Sequence, residues 1–250
     1  MNRGITLLLF GAALAWSQEA RQIVEESQKR SRADSQRYEG TLRVIDARGK
    51  ITEKRWVYDR LGAAGRSKAI LRFTAPAEVK GVALLIHNQT DRASDQWMWT
   101  PAINRERRIA FQDRSTRFFG TDFSFEDLEE RDVDQFHYRM IGEETVDGAA
   151  CWLIESRPKE TKSSQYTSSR LWIRKSDYVF ARIESYVKDK LVRRLKYSDI
   201  ENVQGIRTAR TLEMEDLRRN SRTILTLEKL QYNIPMKEEN FTLQTLRRES

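Results

Sequence analysis

Cysteine and histidine are nearly missing from this chain. Cys151 is the single cysteine in 250 residues, so no internal disulfide can form and the core must hold the fold together. It lies in an apolar run, Ala149 to Ile154, and reads as a small buried hydrophobe. His87 and His137 are the only histidines, on separate segments. Zinc needs three or four ligands, so the supply of soft ligands is too thin. No HExxH, CxxC, GxSxG or phosphate-loop pattern occurs. Glu143 and Glu144 adjoin in what reads as a turn, where neighbours do not converge on one substrate. These gaps argue against an enzyme and imply neither cofactor nor metal.

Long apolar runs are scarce as well. The N-terminal run, Ile5 to Ala15, is about half of the roughly twenty residues that span a bilayer. With Arg3 before it and Ala15-Trp16-Ser17 after it, the pattern is that of a secretory signal peptide over residues 1–17. The expected cut falls between Ser17 and Gln18, with Ala15/Trp16 as second choice; an uncleaved anchor is the alternative. No cysteine stands there to take a lipid. Residues 18–250 are expected to form a single exported domain.

An excess of one charge sign exists, but it is not concentrated. Lys and Arg number 45 against 37 acids, a net charge of +8. Basic and acidic residues interleave, as in Arg105-Glu106-Arg107-Arg108. Nucleic-acid binders gather positive charge on one face, so nucleic acid is not an expected partner. Transient contact with an anionic membrane surface is a more natural use of the excess.

Residues 19–34 read as a helix with a narrow stripe at Ala20, Ile23 and Val24. After that the texture is strands. Tyr38 to Ile45 alternates, a turn follows at 46–50, and the return strand runs from Ile51 to Asp59. Further strands are expected at 67–74, 81–88, 96–100 and 107–111. A second series falls at 138–141, 151–157, 169–173, 181–187, 191–199, 209–216 and 221–231. Asp147-Gly148 and Asp189-Lys190 are turn signals. Eleven or more strands joined by hairpins imply an antiparallel sheet that must curl or close. The fold class is mainly β with a few helices.

Residues 118–130 stand apart. Phe118, Phe119, Phe123 and Phe125 surround Gly120 and give way to acids. Ser124 with Asp127 resembles a capping box, so a short helix is expected from Phe125. The segment reads either as a plug in the core or as an aromatic lid over a cavity. Asp122 is either an anchor for it or an ordinary turn acid.

Three stretches carry a family resemblance: Trp97 to Ile109, Phe119 to Leu128, and Gly142 to Gly148 leading into Cys151-Trp152-Leu153-Ile154. Together they resemble the LolA-like outer-membrane lipoprotein-sorting proteins, in the branch associated with RND (MMPL-type) exporters. The resemblance implies a strongly curved, unclosed antiparallel half-barrel with helices on its concave side. It implies a periplasmic carrier that shelters acyl chains of lipids or lipoproteins and moves them toward or from the outer membrane. An RND-type inner-membrane exporter is the implied partner. The alternative is a non-enzymatic interaction module or transporter accessory subunit, docking through the acidic Glu126–Asp134 segment or a sheet edge and binding no lipid.

Alternation nominates a lining for such a cavity: Trp56, Tyr58, Leu71, Phe73, Leu84, Ile86, Trp97, Trp99, Phe111 and Trp152, with Phe118, Phe119, Phe123 and Phe125 from the aromatic segment. Leu225 and Leu227 belong to the same pattern. For each, the competing reading is ordinary core.

Overall fold

Alternation of buried and exposed residues does set the strands. In β1 (Ser35–Ile45) Tyr38, Gly40, Leu42 and Val44 are buried, while Arg37 and Arg43 face solvent. A computed structural model describes residues 6–63, 65–160 and 164–248, with side chains from residue 17 onward. Residues 1–5 of the expected leader lie outside the described residues.

From β1 the chain continues through β2 (Ile51–Leu61), β3 (Lys68–Ala75), β4 (Ala83–His87), β5 (Asp95–Thr100) and β6 (Arg105–Arg108). The second series comprises β7 (Phe136–Val146), β8 (Ala149–Pro158), β9 (Ser168–Arg174), β10 (Phe180–Val187), β11 (Lys190–Val203), β12 (Ile206–Asp216) and β13 (Ser221–Tyr232). All form one 13-stranded antiparallel sheet in the order β6-β5-β4-β3-β2-β1-β13-β12-β11-β10-β9-β8-β7. The sheet is unclosed, because β6 and β7 are its two edges.

Residues directly opposite in antiparallel strands point to the same face, so register shows which side chains share one. Met140, Ile154, Leu171, Ile183, Leu195 and Met214 are successive partners across β7 to β12. Tyr58, Leu71, Leu84 and Met98 make the matching row across β2 to β5. These rows line the inner face.

The sheet curls. Ten strand steps separate β4 from β7, about 48 Å in a flat sheet. Yet Gln135, next to β7, donates from Nε2 to the carbonyls of Gln89 and Arg92 in the β4–β5 loop, both at 3.1 Å. Only an arc brings them together. The connection from β6 to β7, residues 109–135, joins the two edges and so runs as the chord of that arc.

Helix α1 (Thr6–Arg30) packs on β7 and β9 at one end of the inner face. Ala20, Ile23, Val24 and Ser27 are buried at the i, i+3, i+4, i+7 spacing. The helix stops four residues before the expected Asp34. Ala33 is drawn into the sheet core instead, and Arg60 donates to its carbonyl at 3.0 Å. Helix α2 (Leu243–Leu246) lies on the opposite, outer face, where Leu246 and Phe241 pack against Leu85 and Trp99. The short helix expected from Phe125 is a single 3-10 turn, Glu126–Leu128. The reciprocal capping bonds nevertheless form: Ser124 N–H donates to Asp127 at 2.7 Å, and Asp127 N–H to Ser124 Oγ at 3.3 Å.

Three other expectations are corrected. Glu143 and Glu144 belong to β7, not to a turn; the reversal uses only Asp147 and Gly148, both with positive φ. The β10–β11 hairpin turns at Lys188-Asp189, one residue early. The strand expected at 107–111 lies at Arg105–Arg108, and Phe111 starts a 3-10 turn. Cys151 is buried, as expected. His87 ends β4 and places Nε2 3.0 Å from the carbonyl of Phe241.

Candidate ligand-binding cavity

The chord fills one half of the arc. Phe118, Phe123 and Phe125 are buried against Trp56, Leu71, Phe73, Leu84 and Ile86 in one core, with Tyr58 and Phe119 partly buried at its margin. Phe73 and Phe118 stack with centroids 5.4 Å apart, and Phe118 meets Phe119 and Phe125 edge-on. Of the nominated side chains, these ten therefore come together as packed core.

Polar bonds pin the chord to the sheet. Asp122 is fully buried and accepts from Arg117 and Thr223 at 2.8 Å and from Ser221 at 2.5 Å. Arg193 of β11, 2% exposed, pairs with Asp127 and donates to Tyr166 Oη at 2.9 Å. Within the chord itself Arg114 pairs with Glu129, both side chains nearly buried. Burial drives the Tyr166 hydroxyl well above its ordinary range, so it stays neutral within this network.

The remaining nominees fall elsewhere. Trp97 and Trp99 face the outer surface of the sheet, opposite Leu85 and Ala83, beneath Phe241 and Leu246. Their neighbour Met98 is the one that turns inward. Phe111 is 51% exposed. Trp152 packs at the α1 end, its ring 5.0 Å from that of Tyr178.

Between α1 and the chord the inner face is left uncovered, and there lies a cavity of ≈ 980 Å³. Its floor is Tyr197 of β11, Ala209 and Leu212 of β12, and Leu227 and Tyr232 of β13. Tyr197 and Leu212 are register partners, so they stand side by side. Tyr178, Val179 and Phe180 form one wall, and Ser27, Arg30 and Ser31 at the end of α1 form another. Of the side chains nominated from alternation, Leu227 lines this cavity. Tyr58 lines a smaller hollow of ≈ 300 Å³ that shares Ser31 and Tyr232 as walls.

The large cavity is apolar on its floor and polar on its rim. Desolvation pushes the Tyr197 and Tyr232 hydroxyls upward, so both are neutral at ordinary pH. Tyr232 Oη and Thr208 Oγ1 satisfy each other at 2.9 Å. On the rim, Arg174 donates to Asp177 at 3.0 Å, Arg207 approaches the same carboxylate at 3.6 Å, and the Arg30 guanidinium lies 4.0 Å over the Tyr178 ring. Small-molecule sites of about 300–1,000 Å³ with mainly apolar walls and a few convergent polar groups are typical binding pockets. No cluster of three or more potential metal-ligating side chains occurs among the described residues. No helix among them is long and apolar enough to cross a membrane.

Tyr178, Phe180, Tyr197 and Leu212 were not foreseen. The signal available was weak: alternation of Leu195, Tyr197 and Leu212 marks an inner face but not whether protein covers it.

Comparison with known proteins gives the architecture a context. A family model described as "-like: Uncharacterized protein" matches residues 65–248. No curated protein sequence matches the chain. Among solved structures, the chain resembles an outer membrane lipoprotein-sorting protein domain from Vibrio parahaemolyticus, with TM-score 0.88, 24% identity, and coverage of 93% of this chain and 100% of that one. A DUF1329 family protein from Desulfovibrio piger gives TM-score 0.88 at 26% identity, over 92% and 99% of the two chains. A LolA superfamily protein from Nitrosomonas europaea gives 0.72 at 19% identity, over 90% and 98%. The chain thus belongs to the family of the matching model, and its fold is that of the LolA-like superfamily.

Proposed function

We propose that the protein is a carrier that holds an acyl chain of a lipid or lipoprotein on the floor of the inner-face cavity. The observation that carries this reading is the ≈ 980 Å³ cavity floored by Leu212, Leu227, Tyr197 and Ala209 on a face that neither α1 nor the chord covers. An acyl chain gains about 0.8 kcal/mol per buried methylene, so a sixteen-carbon chain resists entering water by on the order of 10 kcal/mol. A carrier offsets this cost by presenting comparable apolar surface, and it needs no catalytic group. Leu and aromatic walls suit chains of varied length because they impose no fixed polar geometry. The leader-like residues 1–17 support a periplasmic carrier that moves cargo toward or from the outer membrane. An RND-type exporter is the partner proposed on the family resemblance.

The test is native mass spectrometry of lipids held by gently purified protein, with A209W as the cavity-filling variant. Ala209 is buried on the floor. Wild type is expected to retain acyl species, and A209W to lose most of them while keeping its far-ultraviolet spectrum. A wild-type protein that retains none and takes up no fluorescent fatty acid refutes the reading.

A further inference from the structure

We infer that the cavity selects amphiphiles with one anionic end, the acyl chain lying on Phe180, Leu212 and Leu227 and a carboxylate or phosphate meeting Arg174 and Arg207. This rests on the carrier reading and adds the class of headgroup. The two arginines come from different elements, Arg174 from the end of β9 and Arg207 from the start of β12, and both line the cavity. They share a single carboxylate. Asp177 accepts from Arg174 at 3.0 Å, but Arg207 stands at 3.6 Å, inside ion-pair range and beyond hydrogen-bond reach. Two guanidiniums carry ten N–H donors between them, against about four lone-pair sites on one carboxylate. A second anion therefore has donors to meet. The side chain of Arg207 is 43% exposed, so it can reorient toward a headgroup at the rim.

The turn that carries Asp177 is rigidly held. Tyr178 has a φ of 62°, a left-handed conformation that an aromatic residue seldom adopts. It is fixed by Tyr178 N–H to the Arg174 carbonyl and Arg174 N–H to the Val179 carbonyl, both 2.9 Å. Backbone strain of this kind persists where the surroundings over-determine it, and it gathers at binding sites. Arg30, stacked on the Tyr178 ring, adds a third guanidinium to the same rim, although Glu26 engages its Nε at 2.7 Å. Apolar floor and cationic rim thus meet across one aromatic residue.

The experiment is displacement of a neutral naphthylamine fluorophore from the full chain by palmitate and by hexadecanol, which share a chain length and differ in charge. Calorimetry with inorganic phosphate alone supplies the free-anion arm. Palmitate is expected to displace the probe at about tenfold lower concentration than hexadecanol, because charge-assisted hydrogen bonds are the stronger kind. In R174Q/R207Q that ratio is expected to fall toward one. R139Q/R157Q removes the same charge from an exposed pair on Glu155 and is expected to keep the ratio. R207Q alone, at a partly exposed position, covers the case of a double variant that does not fold. Equal displacement by palmitate and hexadecanol in wild type overturns the headgroup inference and leaves the carrier reading standing. Displacement by neither overturns both. Phosphate binding as tightly as palmitate marks a free-anion site and also overturns the inference.

Discussion

At the scale of the residue, Gly40 shows how a small side chain makes room for a large one. It sits mid-strand in β1, opposite Trp56 of β2 and Leu227 of β13. Its φ is not left-handed, so backbone freedom is not the reason for glycine. A methyl group there would overlap the Trp56 indole, and Trp56 is itself 1% exposed against Phe73 and Phe118. G40A is expected to cost about 1–3 kcal/mol, the usual range for overpacking a core. The check is a shift of the urea midpoint to lower concentration; an unchanged midpoint would mean that Trp56 has space to move. The same scale explains a misplacement in the sequence reading. In Gln96-Trp97-Met98-Trp99 the bulky tryptophans suggest the ligand side, yet they face outward. In β4, Ala83, Leu84, Leu85 and Ile86 are all buried, so alternation there distinguishes no face. The cover over the tryptophans is Phe241 and a four-residue helix, too short to show a period in sequence.

At the scale of the element, the chord is the part whose role the sequence left open. Its four phenylalanines pack on the sheet, and the buried Arg193–Asp127 pair ties it down. Arg193 gives the sharpest test, because Asp127 of the chord and Asp216 of β12 both face it. R193M leaves the buried Asp127 carboxylate without its cation, while Asp216 keeps Arg218. Breaking a buried pair from one side costs about 3–5 kcal/mol, so the variant is expected to lose stability on that order in denaturant titration. Amide exchange in residues 118–128 should accelerate more than in β8 and β9. Uniform acceleration would show that the contact supports the whole sheet and not the chord. The strands, by contrast, were legible in number and order, with ends displaced by up to five residues, since a period of two is visible wherever one face is buried and the other wet. The cavity was not legible, because it is defined by where α1 and the chord stop. Helix α1 ends at Arg30 owing to the pull of Ala33 into a distant part of the core, a contact that local sequence does not announce.

At the scale of the whole molecule, the fold is an arc closed by side chains and not by a last strand pair. Arginine–carboxylate pairs tie many of its adjacent strands and turns, and their titration sets an acid limit. In the β4–β5 hairpin, hydrogen bonding to Arg92, and then to Arg108 of β6, pulls the Asp95 carboxyl down to about 2. Glu155, held by Arg157 and Arg139, is lowered as well. For Asp216 and Glu215 the largest influence, burial, pushes upward, yet neighbouring cations outweigh it and both end lowered. A carboxyl whose folded value lies below its unfolded value of about 4 contributes stability that is fully present above that value. The contribution disappears as pH falls through the folded value. Glu129 has the opposite sign: burial outweighs Arg114 and raises it, so its own contribution weakens as pH rises. The lowered groups outnumber it, and protonation also adds to a net charge already at +8. The denaturant midpoint is therefore expected to hold between pH 7 and about 4 and to fall steeply from about 4 toward 2. D95N removes one contributor, so its decline over that window should be shallower than that of wild type. Parallel curves for the two proteins would show that the Asp95 pairs form equally well in the unfolded chain, and that the hairpin at that edge is held by its backbone alone.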